Sequence, residues 1–441
     1  MTELPRRAIV RTARLASLPL GVAGRAALGA GKRFGGRPAD VVAAELQTRT
    51  AEQLFTVLGE LKGGAMKVGQ ALSIFEAVLP EDLVRPYRAT LTRLQESAPP
   101  MPIESVHRIL ERELGTRWRT KFARFEDRPT ASASVGQVHR AVWKDGRDVA
   151  VKIQYPGAGS ALVGDFRRIA RVAKVSAGWI PGLDLDPLLT ELLARVEEEL
   201  DYAREAESQR AFGDAFDLDP HIFVPAVVHQ RGAIIVSEWL EGTALSRIIT
   251  HGDEDTRSLA ARRYVEFLVS GPQRARLLHA DPHPGNYRLL PDGRLGVMDF
   301  GSIDRLPGGL PPAMGRLISL ALADDAEGLL EGLRAEGFIR PSMKVDARGV
   351  LDFFATFLDP LREEEYTFTR AWLRDIYQRF QDPRTEEWRT SIKLNLPPES
   401  LLIHRVWAGG VGVLCQIEGR VPARHLMATW LPEADFPELS R

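Results

Sequence analysis

The sequence of 441 residues predicts an α+β fold in which a helical extension, a small sheet domain and a larger helical domain follow one another. Residues 39–79 carry apolar side chains at three- and four-residue spacing, which is the helical period. Residues 122–155 alternate between apolar and polar side chains and contain Asp145-Gly146, a strong hairpin signal. Helical spacing dominates again beyond Gly242, apart from one short hairpin.

The composition is that of an ordinary globular protein, with 44% hydrophobic and 27% charged residues. A net charge of −1 argues against a general attraction to nucleic acid. Cys415 is the single cysteine, which rules out an internal disulfide and fits a reducing compartment. The longest apolar run, "VWAGGVGVLCQI", falls short of the ~20 residues that span a bilayer. We therefore expect a cytoplasmic protein, with peripheral contact to a membrane as an open alternative.

The chain begins with a basic leader, residues 1–37, which carries eight Arg or Lys side chains and no acid after Leu4. Pro19 and Arg25 interrupt its apolar part, which argues against a signal peptide. Two interpretations stay open. The leader is either a solvated, poorly ordered segment or an amphipathic arm that touches anionic lipid.

Further along the chain, the spacing predicts helices over 81–96 and 103–114, separated by "APPMP". "VGQVHRAVW" and "DVAVKIQ" then predict two strands, and a helix is expected from Pro187 to about Phe212. "HIFVPAVV" and "AIIVSEWL" predict two more strands. The domain boundaries follow as 38–121 for the extension, 122–240 for the sheet domain and 241–441 for the helical domain.

The stretch "HADPHPGN", His279 to Asn286, could be a metal site through its histidines or a simple turn. The next residues change this interpretation, because "YRLL" and "RLGVM" predict a hairpin that turns at Asp292-Gly293. A hairpin holds its open ends side by side, which brings Asn286 close to Asp299. Both are hard oxygen ligands that suit Mg²⁺.

The spacing of these residues is that of a protein kinase. Asp281 precedes Asn286 by five positions and Asp299 by eighteen, which matches H-x-D-x-x-x-x-N, a hairpin and then D-F-G. Upstream, Lys152 lies on the polar face of a predicted strand, after the small-residue turn "TASASVGQV". Asp281 would orient or deprotonate the phosphate acceptor, and Lys152 would neutralise phosphate charge. Ser237 to Leu240 would form the hinge that binds adenine, with Glu238 and Leu240 as contacts.

Together, these motifs resemble those of the UbiB, or AarF-domain, atypical kinases, a family that includes the mitochondrial coenzyme Q biosynthesis kinases. "GGAMKVGQALSI" is similar to the K-x-G-Q motif of the family, with Lys67, Gly69 and Gln70. "EELDYAREA" is similar to its E-x-D motif, with Glu199 and Asp201, followed by Glu205. "ASASVGQVHRA" is similar to its Ala-rich nucleotide loop, whose candidate binding residues are Ala131, Ser132, Ala133, Ser134, Val135, Gly136 and Gln137.

The resemblance implies a two-lobed protein kinase-like fold with the N-terminal helical extension packed over the active cleft. It implies that Glu205 pairs with Lys152, and that Lys67 reaches the cleft, meets Glu199 and joins the catalytic set. The alanines in the nucleotide loop imply an altered preference between ATP and ADP. Ordinary protein kinases differ in two respects: Ala280 occupies the place of their catalytic-loop arginine, and no A-P-E follows the D-F-G.

We therefore expect an atypical kinase or ATPase that binds Mg²⁺ with ATP or ADP and transfers or hydrolyses the γ-phosphate. It would support isoprenoid-quinone or related lipid metabolism, and peripheral contact to anionic membranes and isoprenoid lipids is the partner interaction that we expect. Two alternatives remain. One is a small-molecule kinase of the aminoglycoside-phosphotransferase type, and the other is a non-enzymatic, nucleotide-gated scaffold for membrane lipid metabolism.

Overall fold

A computed structural model describes residues 100–133, 136–156, 200–341, 343–382 and 384–439. The predicted leader and most of the predicted extension lie outside these residues. So do the following predicted site residues: Lys67, Gly69, Gln70, Ser134, Val135 and Glu199. The chain divides into two compact units, the first of which takes residues up to Ala203 together with His229–Val236. The second unit takes Arg204–Val228 and Ser237–Arg441.

The strands and helices of the described residues are numbered here in chain order. The strands are β1 Phe122–Phe125, β2 Ala131–Ala133, β3 Gly136–Trp143, β4 Asp148–Gln154, β5 Ile222–Phe223, β6 Val227–Arg231, β7 Ile234–Glu238, β8 Thr243–Ala244, β9 Leu277–His279, β10 Tyr287–Leu289, β11 Leu295–Val297, β12 Ile303–Arg305, β13 Tyr366–Thr367 and β14 Arg420–Val421. The helices are α1 Ile103–Leu114, α2 Tyr202–Ala215, α3 Leu245–His251, α4 Glu254–Ala275, α5 Pro312–Leu322, α6 Ala326–Ala335, α7 Ala347–Ala355, α8 Arg370–Gln381, α9 Glu386–Ser391, α10 Pro398–Ile417 and α11 Ala423–Trp430.

The first unit is built on an antiparallel sheet of order β1-β3-β4-β7-β6, with β2 paired to the other end of β3. The predicted hairpin between β3 and β4 is confirmed. Gly146 supplies its turn at φ 93°, a conformation that L side chains rarely adopt. Val149, Val151 and Ile153 share the buried face of β4, as the alternation predicts.

Helix α1 precedes this sheet in the chain and has the bounds that the sequence predicts. Val106, Ile109 and Leu110 recur at the helical period and are buried, while the charged side chains occupy the other positions. The helix ends at Gly115, whose φ of 91° stops the helical path.

The second unit surrounds the long helix α4, on which the largest hydrophobic cluster of the described residues is centred. Asp253 caps α4 by accepting a hydrogen bond of 2.8 Å from the backbone N–H of Thr256. The predicted hairpin β10–β11 is present, with Gly293 at φ 84° in its turn. The unit also contains the pairs β9–β12 and β13–β14, which the sequence analysis does not predict.

Two other predictions are corrected by the structure. "HIFVPAVV" forms two strands, β5 and β6, instead of one, because Pro225 has no N–H to donate to a neighbouring strand. In the described part of the expected helix, Leu200 and Asp201 precede α2 and the helix continues to Ala215. Among the described helices, none is both long and apolar enough to cross a membrane.

Candidate nucleotide and metal site

The HxD loop, His279 to Asn286, starts at the end of β9. His279, its first residue, is buried. His279 Nε2 lies 2.9 Å from the carbonyl oxygen of Asp299. Because a carbonyl only accepts hydrogen bonds, Nε2 carries the proton and donates. Burial lowers the pKa of His279, which favours this neutral form. His279 therefore ties the start of the HxD loop to the D-F-G segment.

Asp281 and Asn286 are joined within the loop itself. Asn286 Nδ2 donates to the carbonyl oxygen of Asp281 over 3.2 Å, and Asp281 Oδ1 accepts from the backbone N–H of His283 over 3.2 Å. The amide nitrogen of Asn286 is thus engaged, and its Oδ1 is the atom suited to a cation. The backbone oxygen of Asn286 also accepts from the N–H of Met298 over 2.8 Å, at the open end of the hairpin.

Asp299 follows this hairpin with a left-handed φ of 60°. Its Oδ1 accepts from the backbone N–H of Gly301 over 3.3 Å. The next residue, Phe300, is buried and its ring lies 5.5 Å from that of His279. The predicted proximity of Asn286 and Asp299 is thus provided by the β10–β11 hairpin and its backbone hydrogen bond.

The donor set fits a magnesium ion. It offers an amide oxygen from Asn286 and a carboxylate from Asp299, and Mg²⁺ prefers one or two such ligands together with phosphate and water oxygens. No cluster of three or more His, Cys, Asp or Glu side chains with metal-site geometry exists among the described residues.

Glu205 on α2 lies close to the D-F-G turn. Its side chain is buried, and a methyl group placed on Gly301 would come within 3.7 Å of Glu205 Oε2. The same helix presents Phe212, whose ring lies 5.4 Å from Phe300 and 6.4 Å from His279. None of the sequence motifs points to Phe212. Its position seven residues after Glu205 puts both on one helix face, a signal that was available.

Two helices of the second unit, α4 and α10, contact the HxD loop at Pro282. Tyr264 on α4 donates from its hydroxyl to the carbonyl oxygen of Pro282 over 2.8 Å. Burial raises the pKa of Tyr264 well above its ordinary value, so the hydroxyl stays protonated and can donate. Helix α10 meets the same proline at Gly409, where an added Cβ would lie 2.9 Å from Pro282 Cγ.

In the first unit, the predicted nucleotide loop is the connection between β2 and β3. Ala131, Ser132 and Ala133 pair with Val138, Gln137 and Gly136, respectively. The two residues between these strands, Ser134 and Val135, lie outside the described residues. A Cβ on Gly136 would stand 2.3 Å from the carbonyl oxygen of Ile153, so only glycine permits this approach to β4.

Lys152 lies on the partly exposed face of β4, as predicted. Its Nζ is 5.3 Å from the centre of the Tyr202 ring, at cation–π distance. Asp201 accepts from the backbone N–H of Ala203 over 3.0 Å, which is an N-cap contact at the start of α2. The pairing of Lys152 with Glu205 stays a prediction.

The predicted hinge residues are held by hydrogen bonds of the second unit. Ser237 Oγ contacts Gln209 on α2, with 3.1 Å from Gln209 Nε2. The backbone N–H of Glu238 donates to the carbonyl of Ala226 over 3.0 Å, and Glu238 Oε2 accepts from the N–H of Ala226 over 3.2 Å. Leu240 is buried against Gly296. Adenine contacts at these residues stay a prediction.

The family model described as the ABC1 atypical kinase-like domain matches residues 93–333 of this chain. Among curated proteins, the chain is 31% identical to "Atypical kinase COQ8B, mitochondrial" of Danio rerio over 314 residues, covering 69% of this chain and 50% of that protein. It is 30% identical to "Protein ACTIVITY OF BC1 COMPLEX KINASE 3, chloroplastic" of Arabidopsis thaliana, covering 70% and 43%. The chain thus spans about half the length of the curated relatives it matches.

A solved structure from Mycobacterium tuberculosis, titled the complex of Rv3197 with erythromycin, is 42% identical with a TM-score of 0.71. The similarity covers 91% of this chain and all of that one. These comparisons confirm both the resemblance and the kinase-like α+β fold class that the motifs predict. The chain belongs to the ABC1 atypical kinase-like family, the UbiB or AarF-domain family of the sequence analysis.

Proposed function

We propose that the protein binds Mg²⁺ with ATP or ADP and transfers or hydrolyses the γ-phosphate. The observation that carries the proposal is the hydrogen-bonded arrangement of Asp281, Asn286 and Asp299 around one loop and one hairpin. One loop and one hairpin thus supply a carboxylic acid that can orient an acceptor and two hard oxygen ligands for a metal ion. Enzymes that transfer phosphoryl groups use these same kinds of side chain.

Each residue then has a role that follows from its chemistry. Asn286 and Asp299 would hold the magnesium ion, which when bound neutralises charge on the phosphate oxygens. Asp281 would orient an acceptor hydroxyl or water and accept its proton. Lys152 would contribute positive charge toward the nucleotide phosphates, as the resemblance implies.

The direct test is calorimetry of the pure protein with Mg·ATP and Mg·ADP, followed by measurement of released phosphate. Binding with turnover, abolished in Asp281→Ala, supports the proposal. Turnover that occurs only when one particular soluble acceptor is present would favour the small-molecule kinase alternative instead. Nucleotide binding without any turnover would favour the nucleotide-gated scaffold.

The physiological context we propose is isoprenoid-quinone or related lipid metabolism near an anionic membrane. Support comes from the curated relatives, several of which are named as atypical COQ8 kinases of mitochondria. Phosphate release measured with and without anionic liposomes and quinone precursors tests this context. No response to either addition would contradict it.

A second function, macrolide binding, is favoured by one specific comparison. The relative that is 42% identical over its whole length has a structure titled as an erythromycin complex. We propose that this chain binds erythromycin as well. Calorimetric titration with erythromycin, with and without Mg·ADP, tests the idea, and the absence of heat at millimolar ligand in both cases would contradict it.

A further inference from the structure

A chain of buried hydrogen bonds runs through the first unit beside the predicted nucleotide loop. It joins Met101, Gln137, His139 and Glu126. Gln137 Oε1 accepts from the backbone N–H of Met101 over 2.7 Å, and Gln137 Nε2 lies 2.8 Å from His139 Nε2. His139 Nδ1 lies 2.8 Å from the carbonyl oxygen of Glu126.

The two ends of the chain fix every proton in it. The carbonyl of Glu126 can only accept, so His139 Nδ1 carries a proton and donates. The N–H of Met101 can only donate, so the oxygen of the Gln137 amide faces it. The amide nitrogen therefore faces His139 Nε2, which must be unprotonated to accept. A neutral His139 is the one state that satisfies all three hydrogen bonds.

The surroundings of this chain leave water little part in it. Gln137 is 1% exposed and His139 is 0% exposed, and Met101 is 9% exposed. The ring of Phe125 stacks on that of His139, with centroids 5.1 Å apart. A buried polar group that loses its partner costs the full penalty of its desolvation, so the three hydrogen bonds are expected to form or break together.

The position of these hydrogen bonds in the fold indicates what they do. Gln137 is the last residue of the predicted nucleotide loop and pairs with Ser132 across it. Met101 stands just before α1, in the segment that connects the predicted extension to the sheet. Because the Gln137 amide already forms hydrogen bonds with Met101 and His139, its side chain is not available to bind a nucleotide. Its predicted role in binding then falls to its backbone.

We propose that Gln137 and His139 are positioning residues that lock the nucleotide loop to the segment entering α1, so that nucleotide affinity depends on this connection. The proposal rests on the proposed nucleotide binding. It assigns a function to the "GQVH" part of the loop motif, which neither phosphate chemistry nor the loop turn requires.

Two substitutions of Gln137 separate this role from mere packing. Gln137→Leu keeps the approximate volume but leaves the Met101 N–H and His139 Nε2 unpaired. Gln137→Glu supplies two acceptor oxygens, one for the Met101 N–H and one for a protonated His139 Nε2, so the chain closes again with His139 charged. Gln230→Leu is the matched control, since Gln230 is a partly exposed glutamine on β6 of the same sheet.

Two measurements follow on the full-length protein. Calorimetry with Mg·ADP at neutral pH should show affinity weakened about fivefold or more in Gln137→Leu, and near the parental value in Gln137→Glu and Gln230→Leu. Histidine NMR titration should show the His139 pKa below its ordinary value in the parent and above it in Gln137→Glu. Asp127 and His107 are the other titratable groups that act on His139, and both are unchanged in these variants.

Several outcomes would overturn the proposal. If a folded Gln137→Leu variant binds Mg·ADP with the affinity of the parent, the hydrogen bonds of Gln137 stabilise the fold and do not affect nucleotide binding. Equal loss of affinity in Gln137→Leu and Gln137→Glu shows that the loop needs glutamine itself and not the connection. An unaltered His139 titration in Gln137→Glu shows that the two side chains are not bonded. If the parent binds no nucleotide, the proposed function and this role in it both fail, while the titration still reports on the hydrogen bonds.

Discussion

Gly409 lies where α10 reaches the HxD loop, and its lack of a side chain sets how closely the two pack. An added Cβ would stand 2.9 Å from Pro282 Cγ, and the proline ring that carries this atom is closed onto the backbone nitrogen. We expect Gly409→Ala to displace Pro282 and with it the adjacent Asp281. Displacement of a catalytic group by about 1 Å can lower turnover on the order of 100-fold. Phosphate release under saturating nucleotide is the measurement.

Gly412, one turn further along α10, is the control for this substitution. No atom lies within 4 Å of its added Cβ. Gly412→Ala should leave phosphate release unchanged and raise the free energy of unfolding by up to about 1 kcal/mol, since alanine favours the helix. Equal turnover in both variants would show that the contact with Pro282 does not position Asp281.

At the scale of elements, α2 connects to the D-F-G segment through Phe212. Its ring packs with Phe300 and Phe267 at 5.4 and 5.8 Å between centroids. Phe212→Ala should lower the free energy of unfolding by about 3–5 kcal/mol, because the cavity it leaves is fully buried. Chemical denaturation measures the loss. Leu218→Ala is the control, as Leu218 is 92% exposed and its removal should change the stability little.

Element boundaries show what sequence patterns can and cannot supply. Helix α1 follows from the spacing of Val106, Ile109 and Leu110, because one face of it is buried. The β10–β11 hairpin follows from Asp292-Gly293, since the turn needs a residue at positive φ. The pair β9–β12 is too short to show alternation, and partners distant in sequence select it. No local pattern announces such a pairing.

The sequence predicts the candidate site to the extent that its chemistry lies in spacing. The separation of Asp281, Asn286 and Asp299 predicts a common role, which stays a prediction, and the β10–β11 hairpin brings together the two ends of the segment between Asn286 and Asp299. The packing that holds them is not encoded in spacing. Tyr264 contacts Pro282, and Phe212 contacts Phe300, across separations that only the tertiary fold closes. Gln137 belongs to a recognisable motif, yet its side chain serves Met101 and His139.

For the whole molecule, buried histidines make stability depend on pH. Burial lowers the pKa of His139, His229 and His279 below the ordinary 6.5. The unfolded chain therefore binds protons at a pH where the folded chain does not. Their contribution to stability is fully present above pH 6.5 and is lost as pH falls toward the folded values. Urea unfolding at pH 7.5 and 5.5 should give the lower free energy at 5.5.

A histidine variant identifies the source of this dependence. His229→Gln should flatten the fall in the free energy of unfolding between pH 7.5 and 5.5, since one group with a lowered pKa is removed. An unfolding free energy that rises toward pH 5.5 in the parent would contradict this account.

We expect the basic leader, residues 1–37, to contribute to the binding of the whole protein to anionic membranes. Its eight cations attract an anionic surface by about 1 kcal/mol each at most, and salt screens that attraction. Deletion of residues 1–36 should reduce co-sedimentation with anionic liposomes, and high salt should reduce it in the full chain. If the truncated chain pellets as well as the full one, the leader takes no part in the contact.

The central claim is that the HxD loop and the D-F-G hairpin hold a magnesium–nucleotide complex, and Asp299→Asn tests it most directly. Asparagine tolerates the left-handed φ of 60° at this position, so the substitution removes charge and leaves the backbone in place. Asp292→Asn, at the exposed tip of the same hairpin, removes an equal charge away from the loop. By calorimetry, Asp299→Asn should lose Mg²⁺-dependent nucleotide binding while Asp292→Asn keeps it. Unchanged Mg·ATP affinity in a folded Asp299→Asn would contradict the claim.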